Sequence, residues 1–333
     1  MDGRLRPETV VGVPALGREL GAAARRRTRS RLVTSLLANR LASFGVVILV
    51  LVCLAAVFAD ALAPHNPRVG DLVNSKLPPA FLPGGDPRFL LGTDELGRDI
   101  LSRLIWGART AAVVSILAVS LSTLYGVVLG SLSGYLGGWA DALIMRVADI
   151  LFAFPGMLFV IFIAATVKPG FVGFVEQHEA ALGLQGLARS GYLDYVVVFG
   201  ALSFVGWPGM ARLVRGQVLS LKNQEFVVAA QALGASTWQV VRRHLLPNAL
   251  PPVLVAVSMG LGHAVTAEVV LSWLGIGVQP PNPSWGTMIW ENRMQWRINP
   301  HLLLMPAATV GLVNLSFQFI GDALNDALNP RGR

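Results

Sequence analysis

Six stretches of this chain are apolar for long enough to approach or exceed the thickness of a bilayer. That constraint excludes most folds before any motif is read. The stretches are residues 44–63, 110–132, 150–167, 195–211, 249–275 and 302–321. A hydrocarbon core takes about 20 residues of helix to cross. It holds no water to satisfy backbone N–H and C=O groups, and a helix satisfies its own. Of the 333 residues, 53% are hydrophobic and only 14% are charged. Soluble domains carry about a quarter charged residues. The expected fold is therefore an all-α integral membrane protein with six transmembrane helices.

The net charge of +8 is concentrated, so it reads as topology rather than as affinity for nucleic acid. One basic cluster, Arg25, Arg26, Arg27, Arg29 and Arg31, lies in residues 1–40. This segment is expected to be a disordered cytoplasmic tail touching anionic headgroups, and not a signal peptide. A second cluster, Arg212, Arg215, Lys222, Arg242 and Arg243, surrounds a loop at 222–248. Four crossings separate the two clusters, so both fall on one side, and both termini are expected in the cytoplasm. The organisation expected is a tail (1–40), a first span with an external segment (41–109), and a core (110–333) containing the loop. Cys53 is the single cysteine, so a disulfide or a thiolate metal site within the chain is excluded.

Outside the spans, Ile100, Leu101, Leu104 and Ile105 form a stripe beside Arg98 and Arg103, which predicts an amphipathic helix at the outer interface. Arginines interleave with Asp94, Glu95 and Asp99 and no His lies close in sequence, so metal or acid–base chemistry is not expected there. Gly126, Gly130 and Gly134 repeat every four residues and predict a close helix contact. Pro155 and Gly156 predict a kink, and Pro208 an interruption. Arg146 is the expected partner of Asp149, one turn away. Residues 168–194 form an external link with a short helix over 176–189. Trp285 and Trp290 are expected at interface depth. His263 and Glu268 are polar groups inside the fifth span; such groups face protein or a water-filled path.

The loop itself reads as two short helices broken at Gly234. Asn223 is the expected cap of the first, in which Phe226, Val227, Ala230 and Leu233 recur at helical spacing. Gly234 suits a left-handed stop. Ser236 and Gln239 form a capping box that opens the second helix. Trp238, Val241 and Leu245 are expected to line one face of it, and Pro247 to end it. The small residues Ala229, Ala230 and Gly234 let a partner surface approach closely, whereas a hairpin lying on lipid would carry bulk there.

Ala229 and Ala230, Gly234 after three intervening residues, then His244 to Pro247 as HLLP, resemble the EAA loop of ABC importer permeases. The flanks GWPGMARLVRGQVLSLKNQEF and AEVVLSWLGIGVQPPNPSWG resemble the smaller permease subunit of the dipeptide/oligopeptide branch. The resemblance runs from about residue 41 to 331 and implies a type I importer permease fold. It also implies a coupling role for Glu225, Ala229, Ala230, Leu233, Gly234, Ala235, His244 and Pro247, seated in a cleft of an ATPase subunit. The implied partners are a second permease, two ATPase subunits that bind ATP and Mg, and an extracytoplasmic solute-binding protein. His263 and Glu268 become candidates for the translocation path, with peptides, nickel chelates or another small solute as cargo. One departure stands out: the family's motif glutamate falls at Val228, with Glu225 about a turn earlier. The 168–194 link is also longer than the family's, which raises contact with the binding protein as a role for it.

No P-loop, H-x-x-x-H or H-E-x-x-H pair or G-x-S-x-G elbow occurs. Accordingly no catalytic residue, metal ligand or cofactor is expected in this chain. A self-contained secondary transporter needs an ion site and usually repeated halves, with Glu268 the available carrier. An intramembrane hydrolase needs a nucleophile to pair with His263, and the spans offer none that convinces.

Overall fold

A computed structural model describes residues 38–183, 186–187 and 190–328. The basic tail and the last five residues lie outside the described residues, as do parts of the 176–189 helix expectation. Apart from the one-turn helix Ala59–Leu62, ten α-helices organise the described residues: α1 Arg40–Val57, α2 Ile100–Leu136, α3 Gly138–Phe152, α4 Gly156–Leu182, α5 Tyr192–Leu221, α6 Glu225–Ala232, α7 Thr237–Val240, α8 Leu246–Trp273, α9 Trp285–Asn292 and α10 His301–Leu328. Six of the long elements have the length and apolarity to cross a membrane: α1, α2, α4, α5, α10, and the run from α7 through α8. Leucines, valines and phenylalanines cover their outer faces, among them Val47, Leu51, Leu124 and Phe162, each about half exposed or more. Such a surface needs lipid or a partner against it.

The helices start and stop for local reasons. The Asn39 side chain accepts from the backbone N–H groups of Leu41 and Ala42 and caps α1. Asp99 caps α2 by accepting from the Ser102 N–H at 3.0 Å. The expected interfacial helix and second span prove to be this one 37-residue helix. The break placed between residues 109 and 110 therefore falls inside α2. Pro155 does not kink a span; it caps α4, and residues 150–152 belong to α3. Pro208 does not interrupt α5, which runs through it. More than half of the 168–194 link is a continuation of α4, ending at Gly183 with φ +67°.

Apolar burial contributes little between helices in lipid, so close packing and polar contacts hold the bundle. The glycine stripe does that for α2 and α5. A Cβ on Gly126, Gly130 or Gly134 would meet Met210, Ala211 or Val218 at under 3.0 Å. At one end of the bundle, residues 64–99 and α9 form a cap. Arg98 Nε lies 2.7 Å from Asp94 Oδ2, and Arg98 and Arg103 reach Glu291 Oε2 at 2.7 and 2.8 Å. Arg103 also pairs with Asp94, and both are almost fully buried. Of the three neighbouring acids, Asp94 pairs with the two arginines, Glu95 with Lys76 at 3.4 Å, and Asp99 serves as a helix cap; Glu291 is brought in from α9. Trp285 is not at an interface: it is 1% exposed, packed on Gly107, and its Nε1 donates to the Leu104 carbonyl at 3.0 Å. Trp290 is 41% exposed. Lys168 of α4 pairs with Asp194 of α5 at 2.9 Å, also at the cap end.

Candidate functional site

At the opposite end from the cap, α6 and α7 form the expected hairpin. Its turn is fixed by backbone geometry. The Ala235 N–H donates to the Ala230 carbonyl at 3.0 Å and the Gly234 N–H to the Gln231 carbonyl at 2.9 Å. That is a Schellman stop, with Gly234 left-handed at φ +82°. The Ser236–Gln239 capping box is present in both directions, at 2.9 and 3.4 Å. Gln224, not Asn223, occupies the cap position of α6, and its side chain makes no capping bond.

Two expectations fail beyond Val240. The second helix does not stop at Pro247. It passes through a π turn, Val241–Leu245, and continues as α8. A proline in the first turn of a helix has no N–H to lose there, so it is tolerated. The π turn also changes the inner face. Val240 and Leu245, five residues apart, are fully buried, whereas Trp238 is 66% exposed. An i to i+5 turn shifts the buried register away from the 3.6-residue spacing that predicts Trp238 and Val241.

The outer surface of the hairpin is apolar. Leu233 is 89% exposed, Val228 53% and Phe226 41%, and Ala229 and Gly234 lie open beside them. A Cβ built on Gly234 meets nothing within 4 Å. Glu225 is exposed at the start of α6, where the helix dipole favours an acid. Ala230 and Ala235 are half-buried. His244 is half-buried, its ring 6.4 Å from that of Phe226, and its carbonyl accepts from the Asn248 side chain at 2.6 Å. Pro247 is exposed.

Polar contacts tie α5, the helix that leads into the hairpin, to α2 and α3, and one, from Gln231, comes from the hairpin itself. The guanidinium of Arg215, on α5, donates to both carboxylate oxygens of Asp141 at 2.6 Å. That donation holds the Asp141 carboxyl below its ordinary range. Ser133 donates to the same carboxylate. Arg212 reaches Asp149 at 2.5 Å and its guanidinium sits 4.2 Å from the centre of the Phe152 ring. The partner of Asp149 is thus Arg212 on α5, not Arg146 one turn away. Lys222 Nζ donates to the Gly134 carbonyl at 3.3 Å and Gln231 to the Tyr135 hydroxyl at 3.4 Å. The hairpin is thus bonded to α2 through Gln231 and connected to α3 by way of α5.

The two intramembrane polar residues part company. Glu268 is fully buried. Its Oε1 accepts from Ser272 at 2.7 Å and from Ser284 at 2.8 Å, joining α8 to the cap of α9. His263 is exposed and faces a cleft between α2, α5 and α8. His65, on the cap, was not singled out by sequence, yet its Nδ1 lies 3.5 Å from Asp99. Thirty-four residues separate the two, and no local pattern joins them. Among the described residues, no group of three or more His, Cys, Asp or Glu side chains is placed to hold a metal ion.

Residues 126–333 match the family described as the binding-protein-dependent transport system inner membrane component. Residues 30–79 match the N-terminal TM domain of oligopeptide transport permease C. The chain is 38% identical over 295 residues to the oligopeptide transport system permease protein OppC of Bacillus subtilis, covering 89% of this chain and 87% of that protein. It is 36% identical over 297 residues to the dipeptide transport system permease protein DppC of the same organism, covering 89% and 83%. It is 35% identical over 294 residues to the glutathione transport system permease protein GsiD of Escherichia coli, covering 88% and 87%.

Proposed function

Because the chain belongs to the family of binding-protein-dependent transport inner membrane components, we propose that it is one permease half of an ATP-driven importer of di- and oligopeptides. It is a multi-pass inner-membrane protein. In this reading the hairpin end faces the cytoplasm, as do both termini. The observation that carries the reading is the hairpin: an apolar surface around Leu233, joined directly to α5, which Arg215–Asp141 and Arg212–Asp149 tie to α3.

A surface of that kind, outside the spans, suits the cleft of a soluble partner. The partner is an ATPase subunit, one of two, which binds the ATP and Mg. Its closure on nucleotide presses on Ala229, Ala230, Leu233, Gly234 and Ala235. Glu225 lies within reach of the rim of such a cleft. The load passes along the chain to α5 and through its ion pairs to α3, and the glycine contact moves α2 and α5 as a pair. A second permease completes the path, and a solute-binding protein delivers cargo at the cap end.

The test is reconstitution of the full complex in vesicles. Uptake of trialanine that requires ATP and the binding protein, and stops when either is left out, is the expected result. Uptake that persists without ATP and collapses with the proton gradient would point to a secondary transporter.

A further inference from the structure

Between α2, α5 and α8 lies a cleft of about 350 Å³. Glycines and alanines make most of its wall, with Ser122 and His263 as its polar members and no charged side chain among its described lining. On α8, Gly260, His263 and Ala267 follow one another at three- and four-residue steps, so the imidazole sits in the middle of one face. On α5, Gly206 and Gly209 oppose it. Seventeen residues separate Leu246 from His263, about 26 Å of helix, which puts the ring well inside the membrane.

A face of small residues by itself suits packing of another helix. The ring in its middle argues otherwise. His263 has no hydrogen-bond partner among the described residues, although intramembrane polar groups are normally paired or wet. Glu268, one and a half turns further on, has its serines; His263 has open space.

We propose that this cleft is the chain's own wall of the substrate path and that His263 is the group on it that hydrogen-bonds a passing peptide. The assignment rests on the importer reading above. A wall of Gly and Ala accommodates side chains of varied size. A wall without fixed charge does not trap the termini of a zwitterion. One imidazole supplies a donor or acceptor to a peptide carbonyl, N–H or terminal carboxylate. The second permease closes the open side.

The experiment uses the complete transporter in vesicles, with Cys53→Ser as background. Single cysteines are placed at Gly260 and Ala267, and at Val47 on the outer face of α1 as a control. A Cβ at Gly260 comes no closer than 3.7 Å to its neighbours, so that variant should fold. A water-soluble, positively charged methanethiosulfonate should modify the two cleft cysteines at least about tenfold faster than the control, with trialanine slowing it. His263→Ala should raise the KM for trialanine by roughly threefold to tenfold, the size of one lost hydrogen bond. His263→Gln should recover much of that loss. Cleft cysteines no faster than the control would mean that a partner helix fills the space, and would overturn the proposal. So would an unchanged KM in His263→Ala. If the unaltered complex takes up no trialanine, the importer reading falls instead, and the modification rates still decide whether the cleft is water-filled.

Discussion

Replacing Gly234 separates backbone strain from contact with a partner. Its φ of +82° is a left-handed conformation that costs a residue with a Cβ about 1–2 kcal/mol, and asparagine less. Within the chain there is no steric term to add, because a Cβ at 234 meets nothing within 4 Å. If strain were the whole effect, Gly234→Asn would be milder than Gly234→Ala, and Gly234→Trp would resemble Ala. If an ATPase surface lies against this turn, the order follows volume: Ala is mildest, Asn worse, Trp worst. Each 1.4 kcal/mol lost from docking is about tenfold in affinity. The assay measures trialanine uptake and ATP hydrolysis by the reconstituted complex at equal permease content. The expected result is uptake falling in the volume order, with more ATP hydrolysed per peptide moved. Uptake that follows the strain order, with Asn best, would refute the docking argument.

Leu233→Asp combined with Trp238→Asp should abolish co-purification of ATPase subunits while the permease stays monodisperse in detergent, since both side chains are exposed. Asp94→Ala should destabilise the cap by about 1–3 kcal/mol, because it leaves Arg98 and the almost fully buried Arg103 to share Glu291 alone; thermal unfolding in detergent reads it. The Asp141 carboxyl has a lowered pKa in the fold, chiefly through its hydrogen bonds from Arg215. Its contribution is therefore present above the unfolded carboxylate pKa of about 3.9 and lost as pH falls through the lower folded value. Melting curves of Asp141→Asn and the unaltered chain should differ at pH 7 and converge at strongly acid pH.

The spans were legible because a bilayer demands length and apolarity together, and those are linear properties of a sequence. Their ends were less so. The helix at Ile100 starts well before its apolar stretch because Asp99 caps it and the cap's ion pairs cover its first turns. The Gly234 stop and the Ser236–Gln239 box were readable because they are local stereochemistry. The π turn was not, since nothing in VRRHL announces a wider turn, and it leaves Trp238 exposed while Leu245, expected on the same face, is buried. Long-range pairs were hidden for the same reason: Asp149 had Arg146 nearby in sequence, and only the packing of α5 beside α3 brings Arg212 to it. Intramembrane polarity singled out both His263 and Glu268. Only the fold separates the one facing the cleft from the one bonded to serines.

The central claim, that the hairpin grips an ATP-hydrolysing subunit, is tested most directly by cross-linking from its most exposed residue. A photoreactive group attached to Leu233→Cys in the Cys53→Ser chain, activated in intact cells, should capture a soluble protein carrying a P-loop. Capture should fade in the Gly234→Trp background. Attachment to an extracytoplasmic protein, or to lipid alone, would contradict the account.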